Sequence, residues 1–216
     1  MNKMKRFALI AVCAALLVCV TIGATVAYLT SKTDEVVNTF TVGDVKITLD
    51  EAQVTTDGTP VEPEVRVKQN EYHLLPGSLY TKDPTVHVDD SSEDCIVFVT
   101  VDNGIAAIEA PASETYTPID DQMTANGWQK LSGHSGVYYK AAATDKTLPA
   151  RIEAGTDLKV FDNFMISYDA DGTALKAKED ARITIKAFAI QYMNTTAADA
   201  WDLLSMVPEA TPAPEP

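Results

Sequence analysis

From Val45 to Leu49 apolar and polar residues alternate with period two, the signature of a strand with one face turned to a core. Phe40 and Val42 continue the apolar positions upstream. Shorter runs follow at Val65-Arg66-Val67 and Thr85-Val86-His87-Val88. Ile96 to Val101 is apolar on both faces apart from Thr100, as expected of a strand in the middle of a sandwich. Asp102-Asn103-Gly104 predicts a turn in which Asn and Gly take positive φ, with a hairpin returning through Ile105 to Ile108. Gly136 to Lys140, Leu158 to Tyr168 and Arg182 to Met193 predict further strands, the last two joined by a hairpin turn at Asp169-Ala170-Asp171-Gly172.

One segment reads as a helix. Thr196 and Asp199 form a capping-box-like start, and Ala197, Ala198, Trp201, Leu203 and Leu204 recur at helical spacings before Pro208. Thr55 to Glu64, with Gly58, Pro60 and Pro63, predicts a loop, and Pro208 to Pro216 an extended tail that cannot bury a core. Many turn-punctuated strands with little helix predict an all-β chain, folded as one antiparallel β-sandwich with a short C-terminal helix.

The N-terminus has a different pattern. Lys3, Lys5 and Arg6 precede an uncharged apolar stretch that runs into Gly23-Ala24-Thr25-Val26-Ala27-Tyr28-Leu29. A basic head, an apolar middle and small residues describe a secretory signal peptide, cut between Ala27 and Tyr28. The alternative is a retained anchor, since the uncharged run from Phe7 to Leu29 is long enough to cross a bilayer. A helical span needs about 20 residues. The chain is thus expected to act outside the cytoplasm, and to touch a membrane only through an uncut leader. Its expected divisions are a leader (1–27), a short segment (28–37), a sandwich domain (38–207) and a Pro-rich tail (208–216).

Charge and cysteine content narrow the function. Removing the leader's three cations leaves 14 basic against 31 acidic residues, a formal charge of −17. Such a surface repels nucleic acid phosphates and anionic lipid. Cys13 and Cys19 lie in the leader, so the trimmed chain holds only Cys95. That residue opens an apolar run and is expected to be buried and inert.

Candidates for site chemistry are sparse. His73, His87 and His134 are isolated, and no His-Glu-x-x-His arrangement of a zinc peptidase occurs. Asp89, Asp90, Glu93 and Asp94 crowd one stretch, and Asp169 and Asp171 place oxygens at alternate positions of another, so calcium is the cation to consider. A solvated acidic loop and a hairpin turn are the simpler accounts of the two stretches. Trp128, Tyr138 and Tyr139 would be a sugar-stacking platform if exposed and core packing if not. Trp128 follows the Asn126-Gly127 turn, which would permit partial exposure, but core or interface packing is the favoured reading of all three rings.

Several motifs together resemble a known family. Gly23-Ala24-Thr25-Val26-Ala27-Tyr28 looks like the junction read by SipW-type signal peptidases, and Asn38 to Glu51 is similar to the first mature strand of TasA and camelysin-like proteins. Pro76-Gly77 with Lys82 and the Val86 strand, and Ala187 to Gln191 before Ala200-Trp201, also resemble that family. Ala24, Ser78 and Asp89 depart from its usual residues. The resemblance implies a jelly-roll-like sandwich that builds biofilm-matrix fibres on Gram-positive cells. The donor would be Tyr28-Leu29-Thr30-Ser31-Lys32-Thr33-Asp34-Glu35-Val36-Val37, inserted into a neighbouring copy in a head-to-tail polymer. A related matrix or anchoring protein is a further expected partner. Two alternatives stay open: a camelysin-like metal-dependent peptidase and a membrane-anchored ligand-binding ectodomain.

Overall fold

The computed structural model describes residues 44–178 and 181–206. The elements in chain order are β1 (Ile47–Ala52), β2 (Arg66–Val67), β3 (Leu79–Thr81), β4 (Thr85–Val88), β5 (Cys95–Asn103), α1 (Ile119–Ala125), β6 (Trp128–Lys130), β7 (Val137–Lys140), β8 (Asp157–Lys159), β9 (Asn163–Met165), α2 (Gly172–Lys176), β10 (Ile183–Gln191) and α3 (Ala197–Met206). Two four-stranded sheets have the orders β2-β1-β4-β8 and β10-β5-β7-β6, and β3 pairs with β9 in a small third one. The pairings are antiparallel. The chain crosses between the two large sheets from β4 to β5, from β7 to β8, and from β8 by way of β9 to β10, which is how a jelly-roll-like sandwich is wound.

One buried cluster joins the two sheets. Val86, Val88 and Leu158 from the first meet Cys95, Val97, Val99, Trp128 and Tyr138 from the second. Alternate residues of β5 point the other way: Ile96 and Phe98 pack with Phe188 and Ile190 of β10 and with Ala197, Ala200, Trp201 and Leu204 of α3. The strand is therefore buried on both faces, with a sheet over one and a helix over the other. The Trp201 ring lies 5.3 Å from Phe98 and 5.5 Å from Phe188, which fixes where α3 docks. Its first turn is capped as the sequence suggests, since the Asp199 N–H donates to Thr196 Oγ1 at 3.2 Å. That bond satisfies one of the amides a helix start leaves without a partner.

Three expectations need correction. After β5 the chain does not return as a hairpin strand. Ile105 and Ile108 are buried within successive turns, and β5 pairs with β7 and β10 instead. Neither Asn103 nor Gly104 adopts positive φ. Glycine serves at 104 because a Cβ there would lie 2.5 Å from the Arg182 carbonyl oxygen. The stretch from Leu158 to Tyr168 is broken into β8 and β9, which belong to different sheets. Asp169 to Gly172 is not a hairpin turn, because Asp171 Oδ1 accepts from Ala174 N at 2.8 Å and so starts α2. A short acidic side chain is well suited to that capping position.

Two helices, α1 and α2, escaped the sequence reading. The first begins after Pro118 with no side-chain cap, carries Asp120 and Asp121 in its first turn, and ends at Asn126-Gly127. The two acids suit the positive end of the helix dipole.

Candidate functional site

Edges of the two sheets form the first candidate. Tyr192 N donates to Asp94 O, and Gly104 N donates to Arg182 O. In an antiparallel ladder alternate residues bond the same neighbour, so the even-numbered residues of β10 face β5. The N–H and C=O groups of Ile183, Ile185, Ala187, Ala189 and Gln191 therefore point away from it. Among the described residues no backbone group bonds them. On β1, Asp89 N donates to Lys46 O, so Thr48 and Asp50 face β4 while the backbone of Ile47 and Leu49 points outward. β2 pairs with Glu51 and Ala52, and among the described residues no strand pairs with the outward side of that upstream half.

These two edges lie side by side, with Cα atoms within 8 Å in places. The seam between them is apolar and incompletely covered. Val45, Ile47 and Leu49 on one side, and Ile183, Ile185, Ala187 and Ala189 on the other, are half-buried against the main core. An edge of nine residues whose outward amides have no partner among the described residues is a template for strand addition, a hazard that proteins ordinarily blunt. Here Lys186 is the one charge along it.

A charged cleft of about 390 Å³ on the outer face of the first sheet is the second candidate, lined by Glu64, Arg66, Asp83, His87, Asp157 and Lys159 among others. Cross-strand register puts Asp157 opposite His87 and Asp50 diagonal to it. His87 Nδ1 lies 2.6 Å from Asp157 Oδ1, and Nε2 lies 3.0 Å from Asp50 Oδ1. Partial burial pushes the imidazole down, but the hydrogen bonds and charges of Asp157 and Asp50 outweigh it and raise its pKa above the ordinary value. Asp50 behaves conversely. Burial pushes it up, while Arg66 and His87 hold it below the usual carboxylate range.

Arg66 is the hub of the cleft. Its Nε bonds Asp50 Oδ1 at 2.8 Å, and Nη1 bonds Asp83 Oδ2 at 2.7 Å. With both ring nitrogens facing carboxylates, His87 laces three strands together, and it does so as an ion pair when the ring is protonated. The sequence shows His87 as an isolated histidine in a short strand-like run, but the converging Asp50, Arg66, Asp83 and Asp157 come from register, which no local pattern encodes.

The remaining sequence candidates separate. Ala27, Tyr28 and the donor stretch Tyr28 to Val37 lie outside the described residues. Asp89 Oδ1 accepts from Ser91 N and Ser91 Oγ, and Asp94 pairs with Arg151. Asp171 is engaged at the start of α2, and Asp169 N donates to Ser167 Oγ. Among the described residues no three His, Cys, Asp or Glu side chains converge into a metal-holding group.

Trp128 is fully buried on β6, with Nε1 donating to Lys159 O at 2.9 Å, in line with the core packing favoured for it. Tyr138 and Tyr139 are also buried, so the three rings pack the core. Cys95 is buried as expected, and burial followed by the nearby Asp94 charge pushes its thiol up to about 11. A thiol so hard to ionise is a poor nucleophile. The chain matches no family model, no curated protein and no solved structure.

Proposed function

We propose that this chain is a secreted structural protein, a subunit of an extracellular biofilm-matrix or cell-surface fibre, similar in kind to TasA and camelysin-like proteins and without catalytic activity. A SipW-type signal peptidase releases the N-terminus at Tyr28. The segment Tyr28 to Val37 then pairs with the uncovered edge of a second copy and so propagates a head-to-tail polymer. A related matrix or anchoring protein would start or tether it.

The observation that carries this reading is the seam, where the outward amides of β10 lie beside those of β1 over half-buried apolar side chains. Strand addition satisfies unpaired backbone groups and covers such a surface together. A donor bonded to both edges needs them about 9.6 Å apart, twice the usual strand spacing. The edges approach more closely than that in places, so entry widens the seam by a few ångströms.

Two measurements test the proposal. Protein lacking residues 28–37 should stay folded and monomeric, and filaments of that protein in electron micrographs would refute strand donation. A synthetic peptide of residues 28–37 added to it should slow hydrogen exchange at the amides of Ile185, Ala187 and Ala189 while leaving those of β7 unchanged.

A further inference from the structure

Glu51, Lys82 and Asn70 form a polar cluster that neither the edges nor the charged cleft uses. Glu51 is 4% exposed and Lys82 is 8% exposed. That is an unusual depth for two charged groups. Lys82 Nζ bonds Glu51 Oε2, and Asn70 Nδ2 bonds the other oxygen of that carboxylate, Oε1, at 3.0 Å. The amine and the amide therefore flank one carboxylate. Asn70 Oδ1 accepts from the Val54 N–H at 2.9 Å, and Nδ2 also donates to Ala52 O at 2.8 Å. Aromatic rings wall the cluster: Lys82 Nζ lies 5.9 Å from the centre of Tyr72, which packs edge-on against Tyr80 and Phe164.

We infer that Lys82 and Asn70 become joined by an intramolecular isopeptide bond, with Glu51 as the proton carrier that promotes it. Two charges held out of water are costly, and moving one proton from the ammonium to the carboxylate removes both. The lone pair freed on Nζ attacks Asn70 Cγ, and the carbonyl electrons move onto Oδ1. There the Val54 N–H is already placed to steady the developing oxyanion. When the carbonyl re-forms, the Cγ–Nδ2 bond breaks, and Nδ2 leaves as ammonia with the proton carried by Glu51. The attacking nitrogen returns its surplus proton to Glu51. One amide replaces another, one ammonia is lost, and no oxidant or co-reactant enters. The bond ties the segment after β2 to the residue after β3, beside β1.

Peptide mapping of the purified, folded protein, digested with trypsin after denaturation, tests this independently of fibre formation. An acylated Lys82 resists cleavage, so the proposal expects a single peptide from Gln69 to Lys130, lighter by one ammonia than its residues require. Ammonia loss at Asn103-Gly104 or Asn126-Gly127 would leave cleavage at Lys82 intact, and that result counts against the bond. Glu51→Gln should restore cleavage at Lys82 to completion in protein that keeps its β-sheet circular dichroism. Cross-linking at the wild-type level in that variant would overturn the role of Glu51. Should the variant fail to fold, the wild-type map decides alone: quantitative cleavage after Lys82 in native protein means a permanent ion pair and no covalent bond.

Discussion

His87 carries the clearest pH dependence at the scale of single residues. Its proton is held more tightly in the folded chain than in the unfolded one, because Asp157 and Asp50 both bond the imidazolium. The stability this supplies is complete below the ordinary value of 6.5 and is lost as pH rises through the higher folded value. Asp50 has the opposite sign. Its contribution is complete above the ordinary carboxylate value and disappears as pH falls through its lowered one. Arg66, Asp83, Glu64 and Lys159 also line this cleft, and of these Arg66 keeps its charge across the range. An NMR titration should place the His87 midpoint above 6.5, and Asp157→Asn should bring it down. An unchanged midpoint would mean that Asp157 does not hold the ring.

Among the elements, α3 depends on one anchor. Trp201 meets Phe98 and Phe188, and its removal takes the largest ring of α3 off the Ile96 and Phe98 cluster. Trp201→Ala should cost about 3 kcal/mol in urea unfolding, by the usual scale for large-to-small changes under a packed aromatic ring. It should also increase binding of a hydrophobic dye. α3 itself was legible, because its apolar spacing and Thr196 start lie within a dozen residues. So were β1, β4, β5, β7 and β10, whose alternation or continuous apolar character states locally which face is covered. The hairpin wrongly expected after β5 has a different origin. Asn103-Gly104 fits a reversing turn, but its glycine answers to a distant carbonyl on Arg182, and such a contact leaves no trace in nearby residues. α1 was missed because seven residues starting after an uncapped Pro118 give too little periodicity to read.

For the molecule as a whole, charge opposes the assembly proposed. Trimmed copies each carrying a formal −17 must approach closely, and at physiological salt the screening length is about 8 Å. Growth of filaments from the trimmed protein should therefore quicken as sodium chloride rises from about 10 to about 150 mM, followed by light scattering. A rate independent of salt would mean that the docking faces escape the general repulsion. The acidic charge can be read from composition alone. The seam cannot, since it arises only when β1 and β10 come together from opposite ends of the domain.

The ladder between β10 and β5 runs unbroken through nine residue pairs, from Ile183–Asn103 to Gln191–Cys95. A neighbour seated along β10 would transmit any tug nearly parallel to these strands. Their bonds would then share the load in shear and would not peel open singly. A thread built this way resists stretching at the very strand it recruits for growth, so its joints need be no weaker than its links.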